Sequence, residues 1–166
     1  YRNTAAAISE LIDNSIEAEA SDIEILVFQE LVAHSQRTMP TVTKIGVYDN
    51  GCGMPPEALA ICLQFGNGTR LTSRKGIGRF GIGLPQASVS QCKRVEVFSW
   101  QNDICYKTYL DIDEIVNEKR QNVSPIEECA MPEHILRESV SSRKASGTLI
   151  VWSQCDRLDF ARAKTL

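Results

Sequence analysis

An α+β fold, with helices layered over one face of a sheet, is what this sequence predicts. Three observations support it. Ile8, Leu11, Ile12 and Ile16 recur at helical spacing. Apolar runs of strand character follow at 23–28 and 44–49. Three more β-rich runs lie in the second half, at 94–100, 104–110 and 148–152. Helices first and paired strands later favour segregated layers.

The elements follow in order. The first helix is expected over 4–18 and the first strand over 23–28. Residues 29–41 are polar, with Pro40 near their end, and read as a loop or hairpin. The alternation at 44–49 reads as a second strand. Pro55 and Pro56 suit a helix start, with 57–64 as its body. Residues 65–83 are glycine-rich and basic, too polar for a core element. A short helix is expected over 84–91. The strands at 94–100 and 104–110 are joined by a turn at Asn102-Asp103. Residues 112–119 read as helical, 121–145 as irregular, and 148–152 as the last strand.

With 166 residues, the chain suits one domain, 1–166, with a real hydrophobic core. A hydrophobic content of 43% and a charged content of 23% are those of a globular protein. The net charge of −3 argues against bulk electrostatic attraction to nucleic acid or membrane, without excluding a local basic patch. None of the six cysteines forms a Cys-x-x-Cys pair, which disfavours a zinc site. They read as buried free thiols of a cytoplasmic, intracellular protein. His34 and His134 are isolated, more in keeping with structural roles than with metal ligation. No apolar run is long enough to span a membrane, and no signal peptide is visible. The chain begins without Met, in mid-helix pattern, and reads as part of a longer protein.

Three segments carry chemistry. In the first helix Glu10, Asp13, Asn14 and Glu17 form one polar stripe. That stripe is what any solvated helix face shows. It also places a carboxylate one turn from an amide. Glu10 could orient or deprotonate a water, and the Asn14 amide oxygen could ligate Mg²⁺, which prefers hard oxygen ligands.

The second segment, Asp49-Asn50-Gly51-Cys52-Gly53-Met54, closes a strand. Its residue types are those of an ordinary turn. Ionised Asp49, however, only accepts hydrogen bonds and so suits the exocyclic amine of adenine. Guanine carries a carbonyl there, and two acceptors repel. Gly51 and Gly53 would let the backbone approach the base. Met54 could lie against its ring or simply fill the core.

The third segment, Gly76-Ile77-Gly78-Arg79-Phe80-Gly81-Ile82-Gly83, holds two overlapping patterns. Gly76-x-Gly78-x-x-Gly81 mimics a dinucleotide fingerprint. It lacks the preceding buried strand and the acid about twenty residues on, so that reading fails. No Gly-Lys-Ser/Thr ending is present either, which excludes a P-loop of that class. Gly78-x-x-Gly81-x-Gly83, leading into a helix, can expose successive backbone N–H groups to an anion. Arg70, Arg74, Lys75 and Arg79 supply positive charge. A solvated loop has the same composition, and such a segment could also serve as a lid.

Together these segments resemble the GHKL ATPase superfamily of gyrase-type topoisomerases, heat-shock chaperones, histidine kinases and MutL mismatch-repair proteins. The resemblance runs over about residues 3–152. Residues 10–15, 49–54 and 78–83 match the family's first three motifs, and Gly147-Thr148 its fourth. It implies a two-layer α/β sandwich, the Bergerat ATP-binding fold, with a mixed but mainly antiparallel sheet. Glu10 is thereby cast as general base and Asn14 as Mg²⁺ ligand. Asp49 would hold adenine, with Met54 against the base and Thr148 supporting through water. Gly78, Arg79, Phe80, Gly81, Ile82, Gly83 and Leu84 would take the phosphates, with Lys75 beside them.

The wording of the motifs looks most like the MORC and MutL branches. Their members dimerise through this domain when ATP closes the lid, and act on DNA or chromatin. Glu10, usually missing from sensor histidine kinases, favours hydrolysis over phosphotransfer. In the gyrase and MutL branches a lysine from a following domain contacts the γ-phosphate. The isolated domain is therefore expected to hydrolyse ATP slowly or not at all. Three alternatives stay open: a nucleotide-sensing interaction module without useful turnover, a histidine-kinase-like phosphotransferase, and a set of turns with no ligand.

Overall fold

The computed structural model describes residues 1, 3–35, 37–65, 82–118, 123–140 and 144–160. Helix α1 spans Thr4–Glu17 and is capped by Asn3, whose side chain accepts from the Ala6 N–H at 2.8 Å. Its buried face is Thr4, Ala7, Ile8, Leu11 and Ser15. Ile16, expected on the apolar stripe, is 59% exposed. The helix is rolled so that a serine enters the interior where the hydrophobic pattern suggests isoleucine, and that roll brings Ser15 to the site.

Strands β1 (Ile23–His34) and β2 (Arg37–Asp49) pair antiparallel over their whole lengths, with a bulge between Phe28 and Gln29. The segment read as a loop or hairpin at 29–41 is therefore a hairpin with long arms. Because β2 pairs with the last strand only over 44–49, the distal part is a two-stranded ribbon extending past the sheet.

Short helices α2 (Pro56–Leu59) and α3 (Gly83–Val89) follow. Turn structure continues α2 to residue 63, so the helix is shorter than expected. Strands β3 (Arg94–Gln101) and β4 (Ile104–Asp111) form a second hairpin, with positive φ at Asn102 and Asp103 in its turn. Helix α4 (Ile112–Glu118), the short strand β5 (Glu127–Cys129), helix α5 (Glu133–Leu136) and strand β6 (Gly147–Ser153) complete the chain.

The sheet has the order β1-β2-β6-β3-β4-β5, and every pairing among the described residues is antiparallel. The parallel component of the expected mixed sheet is not among them. Strand β6 enters between β2 and β3, joining the two hairpins. That insertion sets residues remote in sequence side by side: Asp49 pairs with Thr148, and Thr148 with Ser99.

On the inner face, Ile45, Trp152 and Val95 form one apolar row and Val47, Ile150 and Val97 the next. They pack with Ile8 and Leu11 of α1, Leu59 of α2 and Leu84 and Ala87 of α3. The third row is Asp49, Thr148 and Ser99, all buried and all polar. One end of the inner face is thus switched from packing to hydrogen bonding.

The outer face is covered as well, which departs from helices on one face alone. Tyr48, Phe98, Trp100, Cys105, Leu149 and Val151 form a second core with Ile135 and Leu136 of α5. Tyr48 and Trp100 stack there with ring centroids 6.1 Å apart. Cys62, Cys92 and Cys105 are buried free thiols as expected, whereas Cys52 is exposed.

Gly53 sits over the end of this outer core at φ +68°, and an added Cβ would run into the Trp100 carbonyl. Both the left-handed backbone and the collision oppose a side chain. Gly53→Ala is expected to lower unfolding free energy by about 1–3 kcal/mol, measured as a lower urea midpoint with unchanged slope.

Candidate functional site

The polar row of the sheet meets the end of α1 in a small cavity lined by Asn14, Ser15, Ala18, Asp49, Met54, Leu84, Thr148 and Ile150. The alternation of β2 that points Ile45 and Val47 inward also points Asp49 inward. Asp49 is 4% exposed. Its Oδ1 accepts from the Gly51 N–H at 2.9 Å and its Oδ2 lies 2.9 Å from the Ser15 hydroxyl. The Thr148 backbone lies beside it on the neighbouring strand. Burial pushes the Asp49 carboxyl above its ordinary value of 3.8, and the Gly51 N–H, the Ser15 hydroxyl and the nearby Thr148 backbone oppose that rise. A carboxylate offers about four acceptor positions, so with two donors in place about two remain for a ligand.

Ser15 Oγ is also 3.1 Å from the Leu11 carbonyl. Its single proton serves one acceptor at a time. Helix geometry lets the serine face Asp49 only because α1 is rolled as described.

Thr148 Oγ1 lies 3.0 Å from Ser99 Oγ, which accepts from the Met54 N–H at 2.7 Å and donates to the Gly147 carbonyl at 3.1 Å. Ser99 is fully buried and thereby ties β3 to both the Asp49–Met54 turn and β6. Asn50 ties the same turn to the start of β1: its Oδ1 accepts from the N–H groups of Ser21 and Asp22 at 2.9 and 3.0 Å. Its Nδ2 donates to the Asp22 carboxylate at 2.6 Å.

Among the described residues, the structure brings Asn14, Asp49, Met54, Leu84 and Thr148 together around the cavity. Gly51 and Gly53 do not line it. A Cβ at Gly51 would lie 2.7 Å from the Ala18 carbonyl, so this glycine lets the turn close onto α1. The turn is held there by the Cys52 N–H, which donates to the Ala18 carbonyl at 2.9 Å. Leu84 contributes its side chain to the core. Ile82 is 50% exposed at the N-cap of α3.

Glu10 lies outside the cavity, half-buried against α3. A Cβ at Gly83 would collide with its carboxylate, so the bare glycine makes room for it. The Tyr1 phenol is pushed up, first by burial and then by its hydrogen bond to Glu10 and that carboxylate's charge. Lys75, Gly78, Arg79, Phe80 and Gly81, with Arg70 and Arg74, lie outside the described residues.

The residues present fit a nucleotide with Mg²⁺ on one specific observation. Asn14 Nδ2 is buried with no hydrogen-bond partner among the described residues, and the side chain lines the cavity. A buried amide left open in this way suits a ligand rich in acceptors, while its Oδ1 is a hard oxygen donor.

Sequence reasoning missed Ser15, Asn50 and Ser99 as parts of this site. Only Ser99 had an independent signal, since it shares the inward alternation of Val95 and Val97 yet is polar.

Comparisons with known proteins bear on the family and the fold. The family model described as histidine kinase-, DNA gyrase B- and HSP90-like ATPase matches residues 1–148. The mouse (Mus musculus) protein ATPase MORC2B is 33% identical over 84 residues, covering 50% of this chain and 8% of that protein. Among solved structures, the N-terminal domain of a DNA repair protein superposes with a TM-score of 0.55 at 20% identity, over 93% of this chain and 36% of that one. The topoisomerase IV ATP-binding domain of Francisella tularensis gives 0.54 at 18% identity, over 98% and 40%. The B subunit of Myxococcus xanthus DNA gyrase gives 0.54 at 12% identity, over 96% and 40%. These structural likenesses speak to the fold, and the chain spans well under half of each relative's length. With the family model matched over nearly all of the sequence, the chain belongs to the histidine kinase-, DNA gyrase B- and HSP90-like ATPases, a family that binds ATP.

Proposed function

We propose that residues 1–166 form one ATP-binding domain that hydrolyses ATP in the presence of Mg²⁺. The observation that carries this reading is the buried Asp49 carboxylate, hydrogen-bonded by Gly51 and Ser15 and lining the cavity. An acceptor fixed in that way selects an amine donor and so an adenine. Met54 and Ile150 supply the apolar wall against which a base lies, and Thr148 stands beside Asp49.

The phosphates extend toward Asn14, Glu10 and the start of α3, and Lys75 and Gly78 to Leu84 are the residues assigned to take them. A bound Mg²⁺ would neutralise phosphate charge, and Asn14 would hold it through Oδ1. Glu10, one helical turn from Asn14, orients and deprotonates the attacking water. Its place against Gly83 rather than in the adenine cavity supports a role at the far end of the nucleotide.

We further propose that nucleotide binding closes the 65–83 segment as a lid, promotes homodimerisation and so controls a larger intracellular protein. The relatives named for DNA repair, topoisomerase IV and gyrase support action on DNA through other parts of such a protein.

Incubating the full-length protein with γ-labelled ATP tests the reading. Free labelled phosphate is expected, dependent on Mg²⁺, with no label on protein. Label retained on the protein would replace hydrolysis with phosphotransfer, and neither signal would reduce the domain to a nucleotide sensor.

A further inference from the structure

The hydroxyl protons of the polar row can be counted, and the count points to a role for Ser99. Ser99 Oγ has three neighbours: the Met54 N–H at 2.7 Å, the Gly147 carbonyl at 3.1 Å and Thr148 Oγ1 at 3.0 Å. The Met54 amide can only donate and the Gly147 carbonyl can only accept. Ser99 has one proton. If that proton goes to Gly147, Thr148 must donate its own into Ser99, and all three contacts are hydrogen bonds. If Ser99 donates to Thr148 instead, its contact with Gly147 sets oxygen against oxygen with no proton between them. In a fully buried site the first arrangement wins, because an unmatched acceptor pair has no water to relieve it.

We propose that Ser99 is a positioning residue for base recognition: it consumes the Thr148 proton, so that Thr148 Oγ1 faces the cavity as an acceptor only. This rests on the nucleotide reading above and deepens it. Thr148 and ionised Asp49 are register partners on adjacent strands and both line the cavity. Two acceptors side by side match an amino group, which has two N–H donors, directly or through one bridging water. They reject a 6-oxo group at the same place. The discrimination between 6-amino and 6-oxo purines therefore comes from two residues, and one of them depends on a serine that touches no ligand.

The test compares ATP with ITP, which differ in the 6-substituent and the accompanying N1 proton, by calorimetric titration of the full chain. Wild type is expected to prefer ATP. Ser99→Ala frees the Thr148 proton to face the cavity, where it can donate to a 6-oxo group. The ATP-to-ITP affinity ratio should then fall by about tenfold, the size of one hydrogen bond's preference. Ser99→Thr keeps the donor to Gly147 and should restore the ratio.

A merely structural serine would weaken both nucleotides equally and leave the ratio unmoved, and that result overturns the proposal. Thermal melts establish that the variants fold. Should Ser99→Ala fail to fold, Ser99→Cys keeps the volume with a weaker donor and should shift the ratio in the same direction. Wild type binding ATP and ITP equally also overturns the proposal while leaving nucleotide binding intact. Wild type binding neither overturns the nucleotide reading itself, and this proposal with it.

Discussion

Replacing Glu10 with alanine is expected to cut ATP turnover by about 10²- to 10⁴-fold, the usual contribution of a positioned general base, while ATP affinity stays within about threefold. The separation of effects follows from position. Asp49, Met54 and Thr148 surround the cavity proposed to take adenine, and Glu10 is not in its lining. The Glu10 carboxylate instead lies against Gly83 at the start of α3. Removing it takes a carboxylate from the phosphate end and leaves the base contacts untouched. Single-turnover phosphate release together with equilibrium binding of ATP reads both quantities. Equal loss of binding and turnover would make Glu10 a binding residue and remove its assignment as base.

Asp49→Asn should weaken ATP by roughly 10- to 100-fold, as expected for a hydrogen bond to a charged group. The side chain keeps its size but replaces one acceptor oxygen with an amine. Both carboxylate oxygens already face donors, Gly51 N–H on one and Ser15 Oγ on the other. Whichever way the amide turns, its NH₂ meets a donor or points at the adenine amine. Fold stability should move far less. Burial raises the Asp49 pKa, so the ionised form costs stability above the ordinary carboxylate range, and that cost is relieved as pH falls. The neutral amide escapes the same cost, which offsets part of the lost hydrogen bonding.

The raised pKa also sets a pH dependence for binding. ATP affinity should decline on acidification through a range above 3.8, the ordinary aspartate value, as protonation spoils the acceptor. The Asn variant should lack that component. Calorimetry of both proteins across pH checks the pair of expectations.

How far the sequence discloses this site can be traced through the polar row. Asp49 and Thr148 stand out because turn glycines and a short motif frame them. Ser99 does not, since a serine in a strand usually faces water. Only its shared alternation with Val95 and Val97 marks it as inward. Ser15 lay inside a recognised segment, yet the periodic isoleucines pointed to Ile16 as the buried neighbour. The helix roll that buries Ser15 is a tertiary choice, made where Asp49 needs a donor.

The long arms of the first hairpin were obscured by polar residues and Pro40. Cross-strand pairing satisfies their backbone without needing an apolar pattern. Strand β5 and helix α5, within a stretch that reads as irregular, are too short for periodicity to register. They exist because Ile135 and Leu136 cover the outer core. The glycines show the reverse: their positions were legible and their reasons were not. Gly51 and Gly53 pack against Ala18 and Trp100.

ATP recognition as proposed rests on selection of adenine by the buried Asp49 acceptor. Calorimetric titration of the wild-type chain with ATP and with GTP at neutral pH tests it most directly. ATP is expected to bind at least tenfold more tightly, since guanine sets a carbonyl against that carboxylate. Equal affinity for the two nucleotides would rule out base selection by Asp49.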